Sequence, residues 1–243
     1  MIQNNKILNI AHRGSSLVCP ENTIASFQAA TLEGSDYLEI DVRLTKDKQV
    51  IIMHDRKINR TSNQKGRIRK YTLEQLKRLD IGSWFHSDFK DQRISTLEEI
   101  LDLFDTQGII VDVKELAIEK YVVSILEQYA HRDIIISSFH WVILKKFKKL
   151  NPKLNLAILI PRKFGWRRKF KKAKKLQLYS IHIEQSILNQ DMVNTAHTLG
   201  LKIIPWSSKY MHEGRLRQVL SYQPDGLIND YPQVVHKHLH SIK

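Results

Sequence analysis

What the chain is short of narrows it first. A single cysteine, Cys19, excludes an internal disulfide and a cysteine-based zinc site. With no disulfide framework to maintain, a reducing cytoplasm is the expected location. No apolar run is long enough to span a bilayer, and residues 1–6 hold no basic stretch leading into an apolar one. Neither a membrane span nor a secretory signal is expected. No low-complexity linker and no internal repeat divides the sequence. Its 243 residues, 42% hydrophobic and 26% charged, suit one large domain covering 1–243.

Acid is the other shortage. Against 39 Lys and Arg there are only 25 Asp and Glu, a formal charge of +14. Such an excess favours anionic partners: phosphate esters, nucleic acid or an acidic lipid surface. Much of it sits in residues 145–149 and 162–175, and the plain reading of both is a solvated helix face. With Phe164, Trp166 and Phe170 interleaved, the second stretch also admits peripheral contact with an anionic membrane. No recognisable nucleic-acid motif organises the charge, so nucleic acid is not expected as a partner.

Short β-rich runs alternate with amphipathic helical patterns almost throughout. Strand candidates are 8–11, 37–42, 50–54, 109–114, 134–138, 156–160, 180–183, 202–206 and 226–228. Helical patterns at 24–33, 97–104, 118–129, 141–149 and 192–199 fall between most of them. Repeated strand–helix units mean a parallel sheet, and this many predict an irregular α/β (β/α)8 TIM barrel. Nine candidates compete for eight places, and 37–42 and 50–54 are too close for a helical crossover. From Asp55 to Ile94 the alternation lapses into a polar, basic stretch. It reads as an insertion after the third strand segment, at about 56–93, that caps one end of the barrel.

Several strand candidates end on residues that are odd for a buried strand. His12 closes Ile7-Leu8-Asn9-Ile10-Ala11, and His54 closes Val50-Ile51-Ile52-Met53. Glu39 and Asp41 lie two apart, so a period of two aims both at one face. Two like charges there are costly unless a cation joins them. Asp112 and Lys114 close a fourth segment. Singly, each reads as a structural histidine or an ordinary ion pair. Together, at the strand ends where barrels of this kind do their chemistry, they describe a hydrolytic site with a divalent metal and a histidine pair.

These residues carry a resemblance. His-Arg-Gly at 12–14, Pro-Glu-Asn-Thr at 20–23, Glu-x-Asp at 39–41, His-Asp at 54–55 and Asp-x-Lys at 112–114 resemble the glycerophosphodiester phosphodiesterases. So do Arg60-Thr61, residues 79–85, Thr96-Leu97-Glu98-Glu99, Ser137-Ser138-Phe139 and residues 225–232. The likeness spans nearly the whole chain in order. It implies an enzyme releasing sn-glycerol 3-phosphate and an alcohol from small glycerophosphodiesters. By the same resemblance His12 and His54 are general acid and base, and Glu39, Asp41 and Asp112 hold one divalent cation, Ca2+ or Mg2+. Arg13 and Lys114 then bind phosphate oxygens.

Elementary chemistry agrees with these roles. A hard cation suits carboxylate oxygens better than zinc does. An Arg fork can engage two phosphate oxygens. Imidazole, with a reference pKa of about 6.5, can take either proton role near neutrality. The expected route is attack by the neighbouring glycerol hydroxyl to give a cyclic phosphate that water opens, with direct attack by water as the rival. Two departures from the family pattern stand out. Asp112 replaces the more usual Glu, and Pro205-Trp206-Ser207-Ser208-Lys209 replaces the usual Trp-Thr-Val-Asn.

Glu21, Phe139, His182 and Trp206 have weaker claims to the substrate pocket. Glu21 would order the site, Phe139 would form a wall, and Trp206 would stack on substrate or pack in the core. His182 reads as structural by a small margin over catalytic. Thr23 is placed to cap a helix, and Asp55 either orients His54 or begins the insertion. His236, His238 and His240 read as surface residues of a terminal helix, pointing apart at their spacing of two. Two other readings stand beside the leading one: a lysophospholipase D working at a membrane surface, and a degenerate barrel kept as a non-catalytic anion-binding module.

Overall fold

A computed structural model describes residues 6–207 and 210–241. Its strands are β1 (Leu8–His12), β2 (Tyr37–Leu44), β3 (Val50–Ile52), β4 (Gly108–Val113), β5 (Ile134–Ser138), β6 (Asn155–Ile160), β7 (Ser180–Glu184), β8 (Lys202–Trp206) and β9 (Gly226–Asn229). Helices α1 (Ile24–Leu32), α2 (Leu73–Lys77), α3 (Leu97–Leu103), α4 (Glu119–Leu126), α5 (Trp141–Leu150), α6 (Trp166–Lys175), α7 (Gln190–Thr198), α8 (Glu213–Ser221) and α9 (Pro232–Ser241) alternate with them. The sheet order is β1-β9-β8-β7-β6-β5-β4-β2-β3, and an added β1–β2 pairing closes eight parallel strands into a barrel. The chain is a (β/α)8 barrel, as the alternation predicts.

The surplus strand is β3. It pairs antiparallel with β2 (Val42↔Ile52, Leu44↔Val50), while the first half of β2 pairs on the same edge with β1 (Ile10↔Tyr37, His12↔Glu39). A connection this short allows a hairpin and no crossover. The strand ends at Ile52, two residues before His54, and runs back down toward the barrel. The expectation that His54 closes a C-terminal strand end like the others is therefore corrected: a returning strand delivers it to the rim. Between β3 and α3, residues Met53, Ile58, Ile68, Leu76, Leu79, Ile81 and Ile94 form a small apolar cluster of their own with Ile51.

Every barrel strand is buried on both faces. Outward residues such as Leu38, Ile40, Val42 and Leu44 of β2 join the large core under the helices. Inward residues at the lower end, Ile10, Tyr37, Ile110, Ile135, Ala157, Ile204 and Ile228, form a second apolar cluster inside the barrel. Each fully buried aliphatic side chain contributes about 1.5–3 kcal/mol.

Helix α6 corrects another expectation. Trp166 and Phe170 face the barrel at 6% and 0% exposure, so of the interleaved aromatics only Phe164, 91% exposed, faces solvent. The apolar stripe of α6 packs inward and its lysines and arginines face out. His236 is corrected too: it is half-buried, its Nδ1 lies 3.3 Å from the Gly34 carbonyl, and its ring stacks on His240 at 4.1 Å. The relevant spacing is four, which brings helix residues together. No helix among the described residues is long and apolar enough to cross a membrane.

Candidate active site

Two residues beyond the lower apolar layer, the same strands turn polar. Ile10 is followed by His12, Tyr37 by Glu39, Ile110 by Asp112 and Ile135 by Ser137, each on the inward face. Cross-strand register sets His12 beside Glu39 and Asp41 beside Asp112. His12, Arg13, Glu39, His54, Asp112, Lys114, Ser137, Phe139, Leu159, His182, Trp206 and Ile228 line one pocket of about 290 Å3 at the C-terminal mouth. Asp41, level with Asp112 in the register, has no exposed surface and pairs with Arg13 and Lys114. The structure thus brings together His12, Arg13, Glu39, Asp41, His54, Asp112, Lys114, Phe139, His182 and Trp206. Glu21 is a step outside, bonded to Arg13.

The His-Arg-Gly turn is built by two left-handed residues in succession, Arg13 (φ +56°) and Gly14 (φ +83°). A Cβ on Gly14 would come within 2.4 Å of Ser26 Oγ, so only glycine fits. The turn returns Arg13 over the acids. Its backbone N–H donates to Glu39 Oε2 at 3.1 Å, its Nε lies 3.1 Å from Asp41 Oδ2, and Nη1 donates to Glu21 Oε1 at 2.9 Å. Thr23 caps α1 through a capping box with Ser26. Asn22, also left-handed at φ +57°, does something else. It donates to Asp41 Oδ2 at 2.8 Å and accepts the Asp41 backbone N–H at 3.2 Å, holding that residue by its carboxylate and its main chain.

One oxygen from each of Glu39, Asp41 and Asp112 lies within 4.8 Å of the other two, all buried. Lys114 donates to Asp112 and lies 2.9 Å from Asp41 Oδ1, so its ammonium holds the acids together here. Burial, then the neighbouring Asp41, pushes the Glu39 carboxyl up to about 7. Asp112 is also raised by burial, whereas Lys114 and Arg13 hold Asp41 well below the carboxylate range despite its burial. Asp112 Oδ1 is buried with no hydrogen-bond partner. Three hard oxygen donors, one of them unsatisfied, in a cluster that resists full ionisation, fit a divalent cation.

The two histidines are held differently. His12 Nδ1 is 2.6 Å from Asp230 Oδ1, which also accepts from Ser16. Burial opposes its imidazolium, but the Asp230 hydrogen bond and the nearby Glu39 charge carry the pKa above its usual value. His54 Nδ1 is 2.7 Å from Asp55 Oδ1, and Arg60 draws on that carboxylate at 2.8 Å. Burial, aided by Arg13 and Lys114, leaves the His54 pKa below the usual value. Arg60 also binds Glu21 at 2.6 Å, strapping the segment between β3 and α3 to the turn after β1.

His182, fully buried, meets Ser180 at 3.1 Å, and burial lowers its pKa to about 3, so it stays neutral. Trp206 packs edge-on against Phe139 with centroids 5.9 Å apart, and the two form an aromatic wall. Ser208 and Lys209, part of the segment departing from the family pattern, lie outside the described residues. Sequence reasoning missed three supports: Asp230, Asn22 as a clamp, and Arg60. Asp230 was within reach, because it follows inward-facing Ile228 by two. Asn22 and Arg60 fall in quoted motifs, but nothing local marks what they bind.

A family model described as the glycerophosphoryl diester phosphodiesterase family matches residues 12–234. The chain is 34% identical to a putative glycerophosphodiester phosphodiesterase of Bacillus subtilis, covering 94% of this chain and 96% of the relative. It is 32% identical to a glycerophosphodiester phosphodiesterase of Caldanaerobacter subterraneus, with 95% and 96% covered. Among solved structures, an Oleispira antarctica phosphodiesterase in complex with its product sn-glycerol-3-phosphate superposes with a TM-score of 0.87 at 28% identity, covering 95% and 96%.

Proposed function

The chain belongs to the glycerophosphoryl diester phosphodiesterase family, and from that membership we propose that it hydrolyses glycerophosphodiesters to sn-glycerol 3-phosphate and an alcohol. The observation that carries this is the convergence of two imidazoles, three clustered carboxylates and two fixed cations in one pocket. Glu39, Asp41 and Asp112 would hold one divalent cation, Ca2+ or Mg2+, which supplies charge neutralisation on the phosphate oxygens. Arg13 and Lys114 supply fixed positive charge for those oxygens, Lys114 exchanging an acid for the substrate.

His54, with a lowered pKa and an Asp55 partner shared with Arg60, takes the proton of the attacking oxygen. His12, whose pKa the Asp230 hydrogen bond raises against burial, gives a proton to the oxygen of the departing alcohol as its bond to phosphorus breaks. The attacking oxygen is the glycerol hydroxyl next to the ester, and water then opens the cyclic phosphate. An analogue without that hydroxyl should turn over far more slowly; an unchanged rate would assign the attack to water instead. The wall of Phe139 and Trp206 shelters the carbon skeleton from water.

The direct test is release of sn-glycerol 3-phosphate from glycerophosphocholine, glycerophosphoglycerol and glycerophosphoinositol, with Ca2+, Mg2+ or chelator. Wild type should act with one of the ions and stop with chelator, and His12→Ala should lose most of its rate. A folded wild type inert on all three substrates with both ions would end the proposal.

One observation favours a second reading, lysophospholipid hydrolysis at a membrane surface. Leu17, Val18, Leu116 and Phe164 are exposed on loops that follow barrel strands, around the mouth. Faster turnover of acylated substrates, with vesicle binding that weakens in salt, would support it; preference for deacylated substrates would exclude it.

A further inference from the structure

We infer that this enzyme selects glycerophosphodiesters whose leaving alcohol itself carries a phosphate; the inference rests on the hydrolytic reading above. A groove of about 810 Å3 adjoins the catalytic pocket, and Lys114 and Phe139 line both. Arg43, Arg56, Arg67, Arg69 and Lys70 line the groove against one carboxylate, Glu115. That carboxylate is already shared, lying 3.3 Å from Arg69 Nε and 3.8 Å from Arg43 Nη1, and it also accepts the Leu44 N–H. The side chains of Arg56, Arg67 and Lys70 have no hydrogen bond or ion pair among the described residues.

Arg43 is the telling member. Its side chain is only 9% exposed, and its Nη1 is buried without a hydrogen-bond acceptor. Burying a guanidinium with one donor unmet, beside the unpaired Arg56, is costly unless an anion completes the set. Its Nε donates to the carbonyl of His54 at 2.7 Å, so the groove floor touches the backbone of one histidine of the site. A substrate with its diester beside His54 and Lys114 can extend its alcohol past Phe139 toward these cations. A phosphate there meets planar arginine forks. A choline or ethanolamine head group would instead bring positive charge to positive charge.

Glycerophosphoinositol and glycerophosphoinositol 4-phosphate differ by one phosphate on the leaving alcohol. We expect kcat/KM about tenfold higher for the second, the factor that one or two charge-assisted hydrogen bonds supply. The ratio should fall toward one in high salt and in Arg56→Gln/Arg67→Gln, whose rate on glycerophosphoinositol stays as in wild type. Neither residue touches the acid cluster or an imidazole. Calorimetric titration with myo-inositol 4-phosphate reads the groove without turnover, and binding should weaken several-fold in the double variant.

A ratio at or below one in wild type, or one unchanged in the double variant, overturns the inference while leaving the hydrolase reading intact. Loss of turnover on both substrates with inositol 4-phosphate binding retained would instead fault the hydrolase reading. Vesicles of phosphatidylcholine doped with phosphatidylinositol 4-phosphate separate the remaining source of phosphate. If they bind wild type but not the double variant while the soluble ratio is one, the groove serves a lipid surface and the leaving-group assignment is wrong.

Discussion

The two ends of the barrel interior are built from the same strands and differ by a step of two residues. Below, Ile10, Tyr37, Ile110, Ile135, Ala157, Ile204 and Ile228 fill the space with apolar side chains. Above, His12, Glu39, Asp112, Ser137 and Trp206 take the corresponding inward positions. Apart from Ile228, which also lines the pocket, the lower layer packs. The upper one gathers buried carboxylates whose ionisation is opposed by burial, offset by Lys114, Arg13 and Asn22. On the proposed reading, stability and chemistry are separated along these strands, and substitutions should fall into two kinds accordingly.

The sharpest break of the comparison is at the histidines. His12→Ala and His54→Ala should each lower kcat by about 10²–10⁴-fold, with melting temperatures near wild type. Ile110→Ala, one step down the same strand as Asp112, should do the reverse. Removal of that 0% exposed side chain should cost about 2–5 kcal/mol in denaturant unfolding with kcat within a few-fold of wild type. Comparable effects of all three on both quantities would dissolve the distinction between the layers.

Divalent cations sharpen it from the other side. Calcium or magnesium at a hundred times its dissociation constant should stabilise the wild type by about 2.7 kcal/mol, read as a rise in melting temperature. Asp112→Asn should lose most of that rise, and Ile110→Ala should keep it.

The smallest effect concerns the strap of Glu21, Arg60 and Asp55 across the rim. Asp55 is held at about 2 rather than 3.8: burial alone would raise it, but the hydrogen bonds from Arg60 and His54 dominate. A carboxylate lowered in the folded state stabilises above its unfolded pKa and loses that contribution as pH falls through the folded one. The stability difference between wild type and Arg60→Gln should therefore be present at pH 5 and shrink between about pH 4 and 2. Arg60 is nearly half exposed and Asp55 about a third, which keeps it small. A difference that grows on acidification would contradict the strap.

Much of this was legible in the chain because period-two alternation is a local signal. Leu38, Ile40 and Val42 against Glu39 and Asp41 announce one apolar and one acidic face, and the structure has both. Thr23 reads as a cap and is one. The direction of β3 was less accessible: a short connection excludes a crossover but does not say which strand of the pair leaves the barrel. Trp166 and Phe170 misled because aromatic residues among lysines look alike on an inward stripe and on a membrane-facing one. The partners of Arg60 and Asn22, and the cationic groove, were hidden for a simpler reason. Each acts on residues far away in sequence, as Arg43, Arg67 and Glu115 do, and only folding brings them together.

Glu39→Gln bears most directly on the central claim that the acid cluster serves chemistry rather than architecture. Gln keeps the acceptor for the Arg13 N–H and removes a charge that burial disfavours. Release of sn-glycerol 3-phosphate should fall by three orders of magnitude or so, while the metal-free melting temperature stays level or rises. Retained activity with a lower melting temperature would mean that the carboxylates hold the barrel together, and the account would be wrong.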